Sequence, residues 1–473
     1  MILIIALKEW RTLWRRPLLV RFAVLVFLLY VASLLAGVWS ARAAAARAEG
    51  LQNQFINQWL EQGSKLPHAA AHFGMPWVAS PPLMTAFEPG IWPWVGEFTY
   101  SGAHDMVRFR SAPMASAGSM SALWPVSPVW VLQYVLPLWV VLVAYRLSLD
   151  ERAWGTERAL RALGVHPLVQ LLGRGLGVCG ALLVVLVACA LSASAALAPF
   201  GGLTADHALI IFIQCGLAFL GAGVLAWIAL AVPLLIPQPR PAAGVTLGAW
   251  FLLCAAVPAW TNDRARLERL GPSEIEMARV LVHDMERGAY EFGGRDQRAE
   301  TTLQTLLTSL GAGRKVDLPL NFPLFFLMAE DETFNIYVDR RLDAALQIQR
   351  AQDAWRRRWA SASPFTAWQV ISPVLTGTGF VDRVKLANAL EVHRRRYIRI
   401  MNRQQAASLL RDQEAVSDRA LWSTIVPFRS DPPAPLNELP AYQREFFLMS
   451  IWFVGAAAIA ACTSAWAAFR ETV

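Results

Sequence analysis

The sequence predicts an α-helical polytopic membrane protein: six transmembrane helices, an N-terminal interfacial helix and a mainly helical extracytoplasmic domain. Three observations predict it. The 473 residues are 55% hydrophobic and only 16% charged, with a mean hydropathy of +0.37, whereas soluble domains carry about 25% charged residues. Six stretches reach the roughly 20 mostly apolar residues that a spanning helix needs. Arginine and lysine gather beside alternate loops, as the positive-inside rule requires.

Residues 1–17 read as an interfacial helix. Leu3, Leu7, Trp10 and Trp14 recur at helical spacing, while Lys8, Arg11 and Arg15 mark another face, a division that suits the headgroup boundary. Pro17 fits the turn into span one, because a first-turn residue has no helical partner for its N–H. The spans are placed at 18–39, 128–147, 176–198, 208–236, 242–260 and 446–469. The run from Leu18 to Trp39 is too long for the core of a cleavable signal, so the first span is expected to be retained.

Two long polar regions, 40–127 and 261–445, follow the first and fifth spans, so six crossings place both on one face and both termini on the other. Lys8, Arg11, Arg15 and Arg16 precede span one, and Arg146, Arg152, Arg158, Arg161 and Arg174 flank the loop at 148–175; the loop from Ala198 to His207 has neither Lys nor Arg. The termini and the 148–175 loop are therefore expected in the cytoplasm of a bacterial cell, with the chain in its cytoplasmic (inner) membrane.

Region 40–127 begins helically, then turns rich in Pro, Gly and Trp, which forbids long helices and predicts packed loops or short strands. Region 261–445 reads as helices at 273–289, 297–310, 331–359 and 381–416, the last two forming an antiparallel hairpin. Its connector, Pro364 to Pro373, is too apolar for a free loop and is expected to be buried. All five cysteines, Cys179, Cys189, Cys215, Cys254 and Cys462, fall in apolar runs, which predicts membrane-helix thiols and no disulfide framework.

The most informative segment is Asp150 to Pro167, a charged, helix-forming loop wedged between two apolar runs. Glu151, Arg152, Glu157, Arg158 and Arg161 supply charge, Gly155 permits close backbone approach, and Thr156 follows it. On charge spacing alone, a solvated amphipathic connector is the favoured reading. The spelling Glu151-Arg152-x-x-Gly155-Thr156, then Leu163-Gly164-x-x-Pro167 and Leu171-Leu172-Gly173-Arg174, reverses that preference. It resembles the coupling helix of type-2 ABC exporter permeases. Pro67-His68-x-Ala-Ala-His72-Phe-Gly74, Glu88-Pro89-Gly90, His104 and Ser372-Pro373 followed by Leu375-Thr-Gly-Thr-Gly379 resemble a little-characterised branch of that family. The branch has two large extracytoplasmic insertions and is related to permeases associated with multicopper-enzyme maturation.

The resemblance implies a permease subunit whose partners are an ABC ATPase subunit, a second permease, identical or related, and the lipid bilayer. Glu151, Arg152, Gly155, Thr156, Glu157, Arg158 and Arg161 would then couple it to the ATPase, while cargo stays open. Arg174 stands where the wider class often has Lys, either cation being suited to the membrane surface.

Other signals are weaker. His68 and His72 stand i, i+4, as paired metal ligands do, and His104, Asp105 or Glu88 are third-ligand candidates; hydrogen-bonded structural histidines are the favoured alternative. The His-Glu-x-x-His pattern of a metalloprotease is absent. Gly175-x-Gly177-x-x-Gly180 matches a dinucleotide motif in letters only, and Gly173, Gly177 and Ala181 predict close helix packing instead. There is no Gly-x-x-x-x-Gly-Lys-Ser/Thr and no Gly-x-Ser-x-Gly, so ATP is expected to be hydrolysed in a partner and no cofactor or catalytic role is expected here. The net charge of +8 is explained by topology rather than by nucleic acid. The competing expectation is a non-transporting membrane scaffold or sensor with a ligand-binding outer domain. A membrane enzyme using His68, His72 or His104 ranks third.

Overall fold

The computed structural model describes residues 1–103, 126–200, 203–268, 270–271, 274–288, 292–319, 321–409, 416–430 and 433–472. Six of its helices are long and apolar enough to cross a membrane: Pro17–Leu60, Pro128–Ala153, Pro167–Leu197, Ala205–Leu235, Pro239–Glu268 and Pro435–Phe469. The protein is a polytopic membrane protein with a large helical extramembrane region. The five cysteines are free, four of them buried and Cys462 exposed.

An N-terminal helix, Ile2–Trp14, precedes span one and is separated from it at Arg15–Arg16. Its buried stripe is Ile5, Glu9 and Leu13, spaced i, i+4, while Leu3, Ile4 and Leu7 are exposed. Span three receives that stripe on glycines. A Cβ at Gly173 would stand 2.6 Å from the Ile5 Cβ, and one at Gly177 would stand 2.8 Å from the Glu9 Cβ. Gly175 lies against the Trp227 ring. These glycines serve helix packing, as the failed dinucleotide context implied.

Span one is a single helix of 44 residues, about 66 Å long against a hydrocarbon core of about 30 Å. Its second half therefore rises into the extramembrane region, where Trp59 is buried in a second core with Met75, Tyr397, Met401, Trp422 and Ile425. Trp59 donates to the Trp422 carbonyl at 3.0 Å, and Trp422 donates to the Gly63 carbonyl at 3.1 Å. Region 40–127 contributes the predicted short strands, β1 (Met75–Val78) and β2 (Phe98–Ser101), paired antiparallel with Met75 opposite Ser101. Trp77 of β1 packs on Phe428, so the two extramembrane regions form one body at one end of the bundle.

Region 261–445 carries helices Glu274–Arg287, Arg295–Leu310, Phe322–Arg358 and Phe380–Leu409. The two long ones run antiparallel, as expected, with Asn335 bonded to Arg394 and Asp331 to Asn402. Arg394 is 2% exposed and makes two bonds of 2.6–2.8 Å to the Glu391 carboxylate, so this charged pair is interior.

The connector holds a difference from a simple buried loop. Pro364–Leu375 is a helix inserted among spans four, five and six, and it re-enters the bundle between the two long helices. Ser363 caps it, accepting from Phe365 N at 3.1 Å, and Phe365 and Trp368 are fully buried. The seat is made by a π turn, Leu252–Ala256, in span five. Pro258 has no N–H to give the Leu253 carbonyl in that wider turn, and the Ser363 hydroxyl donates to it at 2.6 Å. A second π turn, Val131–Val135, precedes Pro137 in span two, and the Trp250 indole donates to the Tyr134 carbonyl at 3.0 Å.

Candidate functional site

The loop between spans two and three is built by two glycines. Span two ends at Ala153, Gly155 adopts φ 73°, a short helix covers Thr156–Ala162, and Gly164 adopts φ 77°. Both angles lie in the left-handed region that disfavours a Cβ. Pro167 then opens span three, capped by the His166 ring accepting from Leu168 N at 3.2 Å.

The charges of this loop point mostly inward. Glu151 is 2% exposed, pairs with Lys8 of the N-terminal helix, and lies 3.8 Å from Arg174. Glu157 is 6% exposed and is met by Arg152 at 3.3 Å, Arg161, and Arg174 at 3.9 Å. Asp150 pairs with Arg16 and stands 3.5 Å from Arg146. Arg152 also donates to the Pro233 carbonyl at the end of span four. Glu9 is fully buried beside Lys8, at 3.2 Å, and burial raises its carboxyl above the ordinary value, against the attraction of Lys8 and Arg174. Arg174, expected at the membrane surface, is instead 4% exposed among these carboxylates. A planar, always-charged guanidinium suits that position between two acids.

The outward face is different in kind. Trp154 is 65% and Leu163 79% exposed, with Arg158 between them also exposed; Arg16 lies over the Trp154 ring at 4.9 Å. Of the sequence-derived candidates, Arg158 is exposed, Arg152, Gly155, Thr156 and Arg161 are intermediate, and Glu151 and Glu157 are buried. Leu163, part of the motif that carries the resemblance, faces away from the neighbouring helices. Sequence reasoning passed over Trp154, although a tryptophan inside a charged loop was the available signal.

A second cluster joins motifs that stand far apart in sequence. The Glu88 carboxylate accepts from Gly90 N at 3.1 Å and from the Ser372 hydroxyl at 3.2 Å. Ser372 accepts from Gln214 of span four at 2.9 Å, and Gln214 accepts from the Trp368 indole at 2.8 Å. Gly90 is required here, because a Cβ would stand 2.4 Å from the Thr378 carbonyl oxygen. The chain thus ties the first extramembrane region to the re-entrant helix and span four. Burial raises the Glu88 carboxyl above its ordinary 4.5, so the folded protein holds this proton more tightly than the unfolded chain. Its stabilising share is full below that value and lost as pH rises through the folded one. Glu88→Gln, neutral at every pH, should match wild type in acid and unfold at higher temperature than wild type at about pH 8, read by intrinsic fluorescence.

The two histidines of the third motif are brought together. The His68 and His72 rings meet edge to face at 4.7 Å, and His68 Nδ1 bonds the Asn402 amide oxygen at 2.8 Å, fixing Nδ1 as the donor. Asn402 in turn donates to Asp331 at 2.6 Å. Among the described residues, no group of three His, Cys, Asp or Glu stands together as a metal site would. Glu88 is engaged by Ser372, and His104 and Asp105 lie outside the described residues.

In comparison with known families, residues 284–430 match a family described as Domain of unknown function (DUF3526). The match covers the last helices of the extramembrane region and the re-entrant helix. No curated protein matches the chain.

Proposed function

We propose that this chain is the membrane-spanning permease subunit of an ATP-driven exporter, with ATP hydrolysed by a separate ATPase subunit and a second permease completing the pathway. The observation that carries the reading is the 148–175 loop. It is a short helix held by ion pairs to the N-terminal helix and to span three, and it presents Trp154, Arg158 and Leu163 outward. A docked ATPase that changes shape would displace this helix as a rigid piece. Glu151–Lys8 and Arg174 would carry the displacement to the N-terminal helix and span three. Coupling needs only that the partner bind the two loop positions with different affinity. Gly155 and Thr156 start the helix and keep its backbone low, while Glu151, Arg152, Glu157 and Arg161 hold its base.

The reading places the loop and both termini in the cytoplasm of a bacterial cell and the helical domain outside. Ala162 and Thr424 are exposed at opposite ends of the molecule. In a Cys462→Ser background, Thr424→Cys should react with an impermeant thiol reagent in intact cells, and Ala162→Cys only after permeabilisation. The reverse pattern puts the loop beyond reach of any ATPase and ends this reading.

A further inference from the structure

A groove of about 490 Å³ runs down the seam between spans four and six, within the roughly 300–1,000 Å³ of small-molecule sites. Ile228 and Leu235 of span four line one side, and Leu448, Ile451, Gly455 and Ile459 of span six line the other. From Leu448 to Thr463, which also lines it, span six covers about 22 Å, the reach of one extended acyl chain. We propose that this groove holds one anionic phospholipid, with its phosphate between Arg358 and Arg444 and one acyl chain along the two spans.

Charge complementarity selects the headgroup. Arg357 bonds Glu445 at 2.8 Å, and that carboxylate is fully buried, which sets the end of the helix Phe322–Arg358 beside the start of span six. Arg358 and Arg444 adjoin this pair in sequence; both are exposed, and among the described residues neither meets an acid. Glu445 is already matched by Arg357, so the two flanking charges stay open to an anion. Arg444 stands one helical turn outward of Leu448 on the same face, and Arg358 stands three residues before Ser361, which also lines the groove. The level is that of the headgroups. Trp260, Trp355 and Trp359 cluster with ring centroids 5.2–5.9 Å apart, and the Trp452 indole donates to the Ser361 carbonyl at 2.9 Å, a gathering that marks a membrane boundary. Below it, Gly455 leaves room for an acyl chain, since a Cβ there would meet nothing within 4 Å. Ser361 lies in the turn Trp359–Ala362 that leads into the re-entrant helix, so the bound lipid would brace that helix against spans four and six. The inference does not depend on an ATPase.

The full chain in a neutral detergent is titrated with dioleoylphosphatidylglycerol or dioleoylphosphatidylcholine, and bound lipid is counted by native mass spectrometry. One retained phosphatidylglycerol is expected, held about tenfold or more tightly than phosphatidylcholine, the effect of two arginines at an anionic headgroup. The double variant Arg358→Gln, Arg444→Gln should bind the two lipids alike. Gly455→Leu fills the groove and should abolish retention of the lipid. Lipid-free thermal unfolding of both variants should stay that of wild type. Equal retention of the two lipids by wild type, a preference that survives the double variant, or retention that survives Gly455→Leu overturns the inference. So does a lipid-independent dimer that Gly455→Leu dissociates, which would give the groove to a second copy of the chain. None of these results bears on the exporter reading, whose test is the side of the membrane on which the loop lies.

Discussion

Gly155→Trp should reduce cargo-stimulated ATP hydrolysis by about tenfold or more, the lower range of measured couplings between sites, while the chain inserts and assembles normally. Gly155 sits at φ 73°, where a side chain strains the backbone, yet a Cβ there would meet nothing within 4 Å. The strain is of order 1–2 kcal/mol, too little to unfold the bundle, so the bulk of an indole is delivered outward onto the face offered to a partner. Gly155→Asn is the control: asparagine tolerates the left-handed conformation and should retain coupling. If both variants hydrolyse ATP like wild type, the loop is not the point of contact.

Arg174→Met should carry the largest stability loss among single changes in the loop network. Arg174 is buried between Glu151 and Glu157, at 3.8 and 3.9 Å. Removing one partner of a buried ionic group typically costs about 3–5 kcal/mol. The lower end is expected, since Lys8, Arg152 and Arg161 still face the two carboxylates. Thermal unfolding in detergent measures the loss. Adding Glu157→Gln to Arg174→Met should return part of it, because the second change removes one of the charges left uncompensated. An Arg174→Met protein as stable as wild type would mean that the base of the loop is not held by charge.

The positions of the spans were legible because apolar length is a one-dimensional property: the helices Pro17–Leu60, Pro128–Ala153, Pro239–Glu268 and Pro435–Phe469 include their predicted stretches, and the stretches 176–198 and 208–236 run just past the ends of Pro167–Leu197 and Ala205–Leu235. The burial of the connector was legible from its composition, but not its insertion beside spans four, five and six. That depends on the Leu253 carbonyl, which Pro258 leaves open and Ser363 fills, a pairing across 110 residues. The same distance hid the Glu88–Ser372–Gln214–Trp368 chain, whose motifs were visible separately. At the loop, charged residue types suggested an outward face. In three dimensions Glu151 and Glu157 turn inward, because Lys8 and Arg174 come from other helices and neutralise them there. Trp154 and Leu163 take the outward place. A sequence pattern that marks a helix as amphipathic does not say which of its faces the rest of the chain will occupy.

The central claim is that the outward face of this loop docks an ATPase. A photo-crosslinking amino acid placed at Leu163 in native membranes tests it most directly, with the same group at Val392, exposed on the extramembrane helix, as the control. The account predicts that Leu163 captures a subunit containing a Gly-x-x-x-x-Gly-Lys-Ser/Thr nucleotide loop, with a yield that changes when ATP is bound, and that Val392 does not. Capture of no such ATPase at Leu163, from membranes in which that subunit is present, would contradict it.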